Sequence, residues 1–166
     1  MSNTEDNLKK ALAGESQANR KYIAYASKAE KEGFPQVSKL FRAASESEAI
    51  HALNIIRIMR GVKSTADNLV SSLEGETFEY TKMYPQFIEE AEKEGRKDAA
   101  KIFSDASKTE EYHARYYKKA IEQITQKKDI IQKDYYICSV CGYTSENEAL
   151  DVCPICNSKH SFKKVL

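Results

Sequence analysis

Residues 29–51 read AEKEGFPQVSKLFRAASESEAIH, and residues 91–113 read AEKEGRKDAAKIFSDASKTEEYH. At an offset of 62 residues, 11 of these 23 positions are identical, among them Glu48 with Glu110 and His51 with His113. Each copy has helical spacing on both sides of a glycine. Such a repeat points to two similar helical hairpins that face each other about a pseudo-two-fold axis. The first and third helices match less well: Glu15 plus 62 is Thr77, one residue past Glu76, so the alignment slips by one residue near that turn.

Working outward, glycine and proline are scarce before residue 134 and fall at boundaries. Gly33-Phe34-Pro35 closes one helical stretch and starts the next, Gly61 closes the second and Gly95 the third. Four helical segments result, roughly residues 4–32, 35–60, 66–94 and 97–126, and short connections predict an antiparallel four-helix bundle. A polar, Lys-rich linker covers 126–134. Beyond it Tyr135, Tyr136, Ile137, Val140, Tyr143 and Val152 alternate with Gly142, Asn147, Asp151 and Pro154, which suits short strands and turns. The expected fold class is an all-α bundle, residues 1–128, followed by a small β-rich metal domain, residues 134–166.

Composition agrees with this plan. The 166 residues are 41% apolar and 31% charged, with a net charge of +1, which is an ordinary globular balance that suggests no polyanion partner. No apolar run is long enough to cross a membrane, and the polar stretch Met1 to Lys10 is no signal peptide. The expected location is cytoplasmic, with neither membrane nor nucleic acid as partner.

The glutamates carry the functional argument. The second helix has an inward stripe of Val37, Leu40/Phe41, Ala44, Glu48, His51, Ile55 and Ile58/Met59. The fourth repeats it with Ala99, Ile102/Phe103, Ala106, Glu110, His113, Tyr117, Ala120/Ile121 and Ile124. Glu15 interrupts the stripe Leu8, Leu12, Ala18, Tyr22, and Glu76 and Glu79 follow Leu69 and Leu73. Burying one unpaired carboxylate costs several kcal/mol. Five together would exceed the roughly 5–15 kcal/mol that holds a domain folded, and no Lys or Arg shares the stripes. Divalent metal is the economical counter-charge. One Glu from each of two helices plus Glu-x-x-His from each of the other two is the di-iron or di-manganese carboxylate plan, and the i, i+3 spacing puts Glu and His on one face.

Cys138-Ser-Val-Cys141 and Cys153-Pro-Ile-Cys156 are two C-x-x-C knuckles separated by 11 residues, a spacing that closes a tetrahedral four-thiolate site. Spacing leaves zinc and iron open; the nearby aromatics and the neighbouring redox-type site favour iron. His160 is redundant as a fifth ligand and reads as a surface or packing residue.

With these motifs assembled, the bundle resembles the rubrerythrins and the tail resembles rubredoxin. The residues that carry the resemblance are Ala13-Gly14-Glu15-Ser16-Gln17-Ala18, Glu48-x-x-His51, Gly75-Glu76-Thr77-Phe78-Glu79-Tyr80, Glu110-x-x-His113, Tyr136-Ile137-Cys138-x-x-Cys141-Gly142-Tyr143 and Cys153-Pro154-x-Cys156. The resemblance implies a ferritin-like bundle with two non-haem iron ions and a third iron on the cysteines. It implies a peroxidase that reduces hydrogen peroxide to water in defence against oxidative stress, with electrons supplied by a rubredoxin or an NADH-dependent reductase, in a homodimer or higher homo-oligomer. It implies Glu15 and Glu79 as terminal ligands of one iron, Glu76 and His113 of the other, and Glu48 and Glu110 as bridges, with one iron moving between Glu79 and His51. Five carboxylates exceed the charge of two ferrous ions but not of two ferric ions, which gives that movement a cause. Tyr22 and Tyr84 match family tyrosines that hydrogen-bond the ligand carboxylates. A linker this short suggests that electrons pass between subunits of a head-to-tail dimer. The residues alone leave two other readings open: a ferroxidase or iron-handling protein, and a non-enzymatic metal sensor with zinc on the cysteines.

Overall fold

The computed structural model describes residues 3–165. The chain forms two compact units, Met1–Lys63 and Ser64–Leu166, so the break falls between the two halves of the repeat.

The first unit is a hairpin of α1 (Asn3–Lys31) and α2 (Pro35–Ile58). Its turn is built by Gly33 at φ +81, with Phe34 N donating to Ala29 O at 2.9 Å. A positive φ here suits glycine, which lets the last carbonyls of α1 find donors. The second unit contains α3 (Thr65–Phe78), a π-helical turn (Glu79–Met83), α4 (Tyr84–Lys93) and α5 (Lys97–Thr125). Gly95, at φ +72, repeats the Gly33 turn, with Arg96 N on Ala91 O at 2.8 Å. The helix boundaries match the four segments read from the pattern to within two residues. At the end of α2 the positive-φ residue is Arg60, not Gly61. Gly61 fits a tight space instead: a Cβ there would sit 3.2 Å from the Ile56 side chain and 3.3 Å from its carbonyl oxygen.

The π turn explains the slip in the repeat. Between Glu15 and Ala29 there are 14 steps, and between Glu76 and Ala91 there are 15. Tyr84 N donates to Glu79 O, five residues back, so the extra residue is absorbed as a bulge inside an otherwise continuous helix. Past the bulge, Tyr22 aligns with Tyr84, Tyr25 with Phe87 and Phe41 with Phe103. Each set stacks as a triad, with Tyr25–Phe41 at 5.5 Å and Phe87–Phe103 at 5.6 Å. Before the bulge, Glu79 aligns with Ala18, so the insertion coincides with a carboxylate that only the second unit has.

The most buried helical positions are small: Ala26, Ala29, Ser38, Ser45 and Ala52 in the first unit, and Ala91, Ala100, Thr109 and Ala114 in the second. Ser38 with Ala100 and Ala52 with Ala114 are repeat equivalents. Small side chains let helices approach closely. The large residues placed on the inward stripes at Val37, Leu40, Ile58 and Ile102 are exposed instead, Leu40 and Ile102 by 68% and 67%. The stripe reading counted bulk, whereas each hairpin buries its smallest face. Ala52→Leu is expected to lower the urea midpoint by an amount equivalent to about 1–3 kcal/mol through overpacking; an unchanged midpoint would show that this position does not face α1.

The C-terminal module is a three-stranded antiparallel sheet, ordered β2 (Thr144–Glu146), β1 (Tyr135–Cys138), β3 (Phe162–Lys164). Its core is Cys138, Tyr143 and Cys153, with Leu150, Ile155, Phe162 and, from α5, Tyr112. Lys133 pairs with Glu146 at 2.6 Å and tethers the linker to β2. Among the described residues, no helix is long and apolar enough to cross a membrane.

Candidate metal centres

Each unit presents a Glu/Glu/His group whose ligand atoms lie within 4.8 Å of one another: Glu15, Glu48 and His51 in the first, Glu76, Glu110 and His113 in the second. The two are built alike. His51 Nδ1 is 2.9 Å from Glu48 and 3.4 Å from Glu15; His113 Nδ1 is 2.8 Å from Glu110 and 3.7 Å from Glu76. The i, i+3 spacing on α2 and α5 produces the short contacts, and the partner helix of each hairpin supplies the third group. Both imidazoles point Nδ1 at the carboxylates, which is the nitrogen a metal there would take. Glu79, at the head of the π turn, lies outside the tight group but within electrostatic reach of Glu110 and His113.

The electrostatics separate the two groups. Burial, then Glu110, pushes Glu76 up to about 7. Burial and Glu110 also raise Glu79. Glu48 runs the other way: hydrogen bonds to Glu15 and His51 hold this half-buried carboxyl low. The second group carries three carboxylates in a drier setting, so its need for a cation is greater. Tyr84 is raised by burial and by Glu110, Glu79 and Glu76, and so keeps its phenolic proton. No hydrogen bond joins Tyr22 or Tyr84 to a ligand carboxylate among the described residues; the aromatic triads hold both rings instead.

These shifts set the pH response of the metal-free protein. Glu76 keeps to about pH 7 a proton that it releases near 4.5 when unfolded, so folding stability falls as pH rises between those limits. His51 and His113 are raised by their glutamate partners; their contribution is full below 6.5 and is lost as pH rises through the folded-state value. Glu48, Glu89 and Asp98 are lowered and act only towards acid pH, below about 4.5. Chelated protein should therefore show a Tm that falls from about pH 5 to about pH 8, and metal-loaded protein the reverse, because ligation displaces those protons. A Tm that rises over this range in chelator would contradict the assignment.

The four cysteines sit on two equivalent knuckles. Gly142 N donates to Cys138 O and Asn157 N to Cys153 O, both at 2.9 Å, and the residue after each second cysteine has positive φ, Gly142 at 83 and Asn157 at 60. Cys138 Sγ lies 3.7 Å from Cys156 Sγ, and Cys141 Sγ lies 3.5 Å from Cys153 Sγ. A tetrahedron with metal–sulfur bonds of about 2.3 Å has edges of about 3.8 Å, so the sulfurs already stand at ligand spacing. Burial pushes the Cys141 and Cys153 thiols up. At Cys138 burial is outweighed by the Ser158 and Ser161 hydroxyls and by backbone amides, and the thiol falls to about 5. His160 is exposed and takes no part.

A second face of α5 carries the module and was not evident from the hydrophobic pattern. Thr109 Oγ1 approaches Cys141 O at 3.5 Å, the Tyr112 ring meets Tyr143 edge-on at 4.8 Å, and Tyr116 Oη donates to Thr144 O at 2.9 Å. The tyrosines at spacing 4 were the available signal. This docking brings Thr144 Oγ1 to 3.5 Å from His113 Nε2. Cys141 is three residues before Thr144, so the linker does allow the cysteine module to reach a histidine of its own chain.

Comparison with known proteins agrees with this architecture. The rubrerythrin family model matches residues 6–121, and the rubrerythrin rubredoxin-like domain model matches residues 136–163. Rubrerythrin-2 of Clostridium acetobutylicum is 34% identical, covering 94% of this chain and 92% of its own. Rubrerythrin of Nitratidesulfovibrio vulgaris is 32% identical, covering 93% and 90%. A structure of nigerythrin in its partially reduced state matches with a TM-score of 0.56 at 32% identity, covering 99% of this chain and 88% of the other; its fully reduced, all-ferrous structure gives 0.55. The Glu/His groups are thus candidate di-iron carboxylate ligands and the cysteines a rubredoxin-like cluster. The chain belongs to the rubrerythrin family.

Proposed function

We propose that this protein is a non-haem di-iron peroxidase that reduces hydrogen peroxide to water, with electrons relayed through the four-cysteine centre. The observation that carries the reading is the Thr144–His113 contact, which leaves three residues and one side-chain contact between Cys141 and His113. A storage protein or a zinc sensor has no use for such a juncture.

In this reading Glu15, Glu48 and His51 of the first unit and Glu76, Glu79, Glu110 and His113 of the second would hold the non-haem iron, the glutamates through oxygen and the histidines through nitrogen. Bound iron supplies the redox chemistry: two electrons at the Glu/His groups and one at the cysteines. The chain's own groups do the rest. His113 presents Nδ1 to the carboxylates, and Thr144 holds its outer nitrogen. Among the described residues His51 meets at Nε2 only Ser47 of its own helix, at 3.5 Å, and it is exposed, which suits the histidine that exchanges with Glu79. Tyr84 retains a proton beside three carboxylates and stands as a donor to the oxygen released. The overall reaction takes two electrons and two protons per peroxide and forms two waters. The functional division follows residues 1–128 for peroxide chemistry and 134–166 for electron delivery, in a cytoplasmic homo-oligomer fed by a rubredoxin or an NADH-dependent reductase. The test is anaerobic reduction followed by peroxide or oxygen, with iron and zinc quantified. Iron at all sites and faster oxidation by peroxide support the reading; zinc on the cysteines, or preference for oxygen, overturns it.

A further inference from the structure

Only two of the four cysteine sulfurs are met by hydroxyls among the described residues. Ser158 Oγ lies 2.9 Å from Cys156 Sγ and 3.4 Å from Cys138 Sγ. Ser161 Oγ lies 3.1 Å from Cys138 Sγ, and the two hydroxyls are 2.8 Å apart. Both serines are anchored through their main chain: Cys153 N donates to Ser158 O at 2.9 Å, and Ser139 donates to Ser161 O through N at 2.8 Å and through Oγ at 2.9 Å. Their position is therefore fixed by the two knuckles, and the hydroxyls face the sulfurs and each other.

A metal-bound thiolate has no proton to give, so in the loaded centre these hydroxyls are the donors. One of their two protons fills the 2.8 Å contact between the hydroxyls, so the pair delivers one O–H to the sulfurs, from Ser158 to Cys156 or from Ser161 to Cys138. Iron on four thiolates carries one negative charge when ferric and two when ferrous. Reduction adds one electron and no proton. An O–H aimed at sulfur stabilises the more negative state more strongly, and hydrogen bonds to sulfur are a recognised control on the potential of such centres.

We propose that Ser158 and Ser161 are positioning residues that set the reduction potential of the four-cysteine centre, raising it so that the centre holds its electron until the neighbouring site accepts it. This rests on the reading of iron at the cysteines. The double variant Ser158→Ala/Ser161→Ala in the full chain, titrated spectroelectrochemically, should shift the ferric-to-ferrous ratio about tenfold towards ferric at a given potential, a midpoint lower by about 59 mV for one electron. Either single alanine variant leaves the other hydroxyl free to donate to its own sulfur and should shift the midpoint less, and Ser158→Thr, which keeps the hydroxyl, should retain the native midpoint. Independently, native protein moved from water to deuterium oxide should show shifted iron–sulfur stretching frequencies. A double alanine variant that binds iron with the native midpoint would overturn the proposal. So would unshifted vibrations in the native protein, even if the variants fail to take up iron. Zinc in place of iron would instead show as a colourless protein with no midpoint, a failure of the underlying reading that is distinguishable from either result.

Discussion

Cys138→Ser is expected to stop sustained peroxide turnover while leaving one round of peroxide reduction intact. Cys138 is 1% exposed and sits at the centre of the module core with Tyr143 and Cys153. Its sulfur lies 3.4 Å from the Ser158 hydroxyl, 3.1 Å from that of Ser161 and 3.7 Å from the Cys156 sulfur. Serine removes a soft thiolate from a closed tetrahedral set, which is stricter than losing an outer partner of a metal ligand, itself worth about 10–100-fold. Steady-state turnover with an external reductase should therefore fall by more than about 100-fold. The Glu/His groups are left untouched, so chemically reduced protein should still consume one charge of peroxide at the native rate. Unchanged steady-state turnover would remove the cysteines from the electron path.

Glu110→Gln should separate function from stability. Glu110 is the nearest carboxylate to His113, at 2.8 Å, and it raises both Glu76 and Glu79. The amide keeps the shape but neither bridges cations nor repels its neighbours. Iron content at the carboxylate groups should drop and peroxide reduction fall by about 100-fold or more. With Glu110 neutral, Glu76 should titrate closer to its ordinary range, so the chelated protein at about pH 8 should gain thermal stability. Loss of activity with a raised metal-free Tm is what a charge-strained site predicts. A lowered Tm in chelator would mean that Glu110 is structural.

The repeat, the helix limits, both Glu-x-x-His pairs and the cysteine knuckles were legible because each rests on local spacing. The slip between Glu15 and Glu76 was also visible, but not its cause: a π turn leaves no mark in a hydrophobic pattern tuned to 3.6 residues, and Glu79–Met83 reads as ordinary helix. The buried positions were misjudged for a related reason. Leu40 and Ile102 carry bulk and were assigned inward, whereas Ser38, Ser45, Ala52 and Ala114 are what the hairpins bury. Thr109, Tyr112 and Tyr116 went unseen because α5 works with two faces, one for Glu110 and His113 and one for the cysteine module. The direct contact between Thr144 and His113 depends on that second face, and a linker length alone argued for transfer between subunits.

In the proposed function the cysteine centre recharges the carboxylate centre through the Thr144–His113 contact. Fully reduced protein is mixed rapidly with less peroxide than it can consume, and the visible absorption of the ferric cysteine centre is followed. That absorption should return after peroxide is spent, at a first-order rate independent of protein concentration, and Thr144→Val should slow it. A centre that stays reduced, or a rate proportional to protein concentration, would contradict the account.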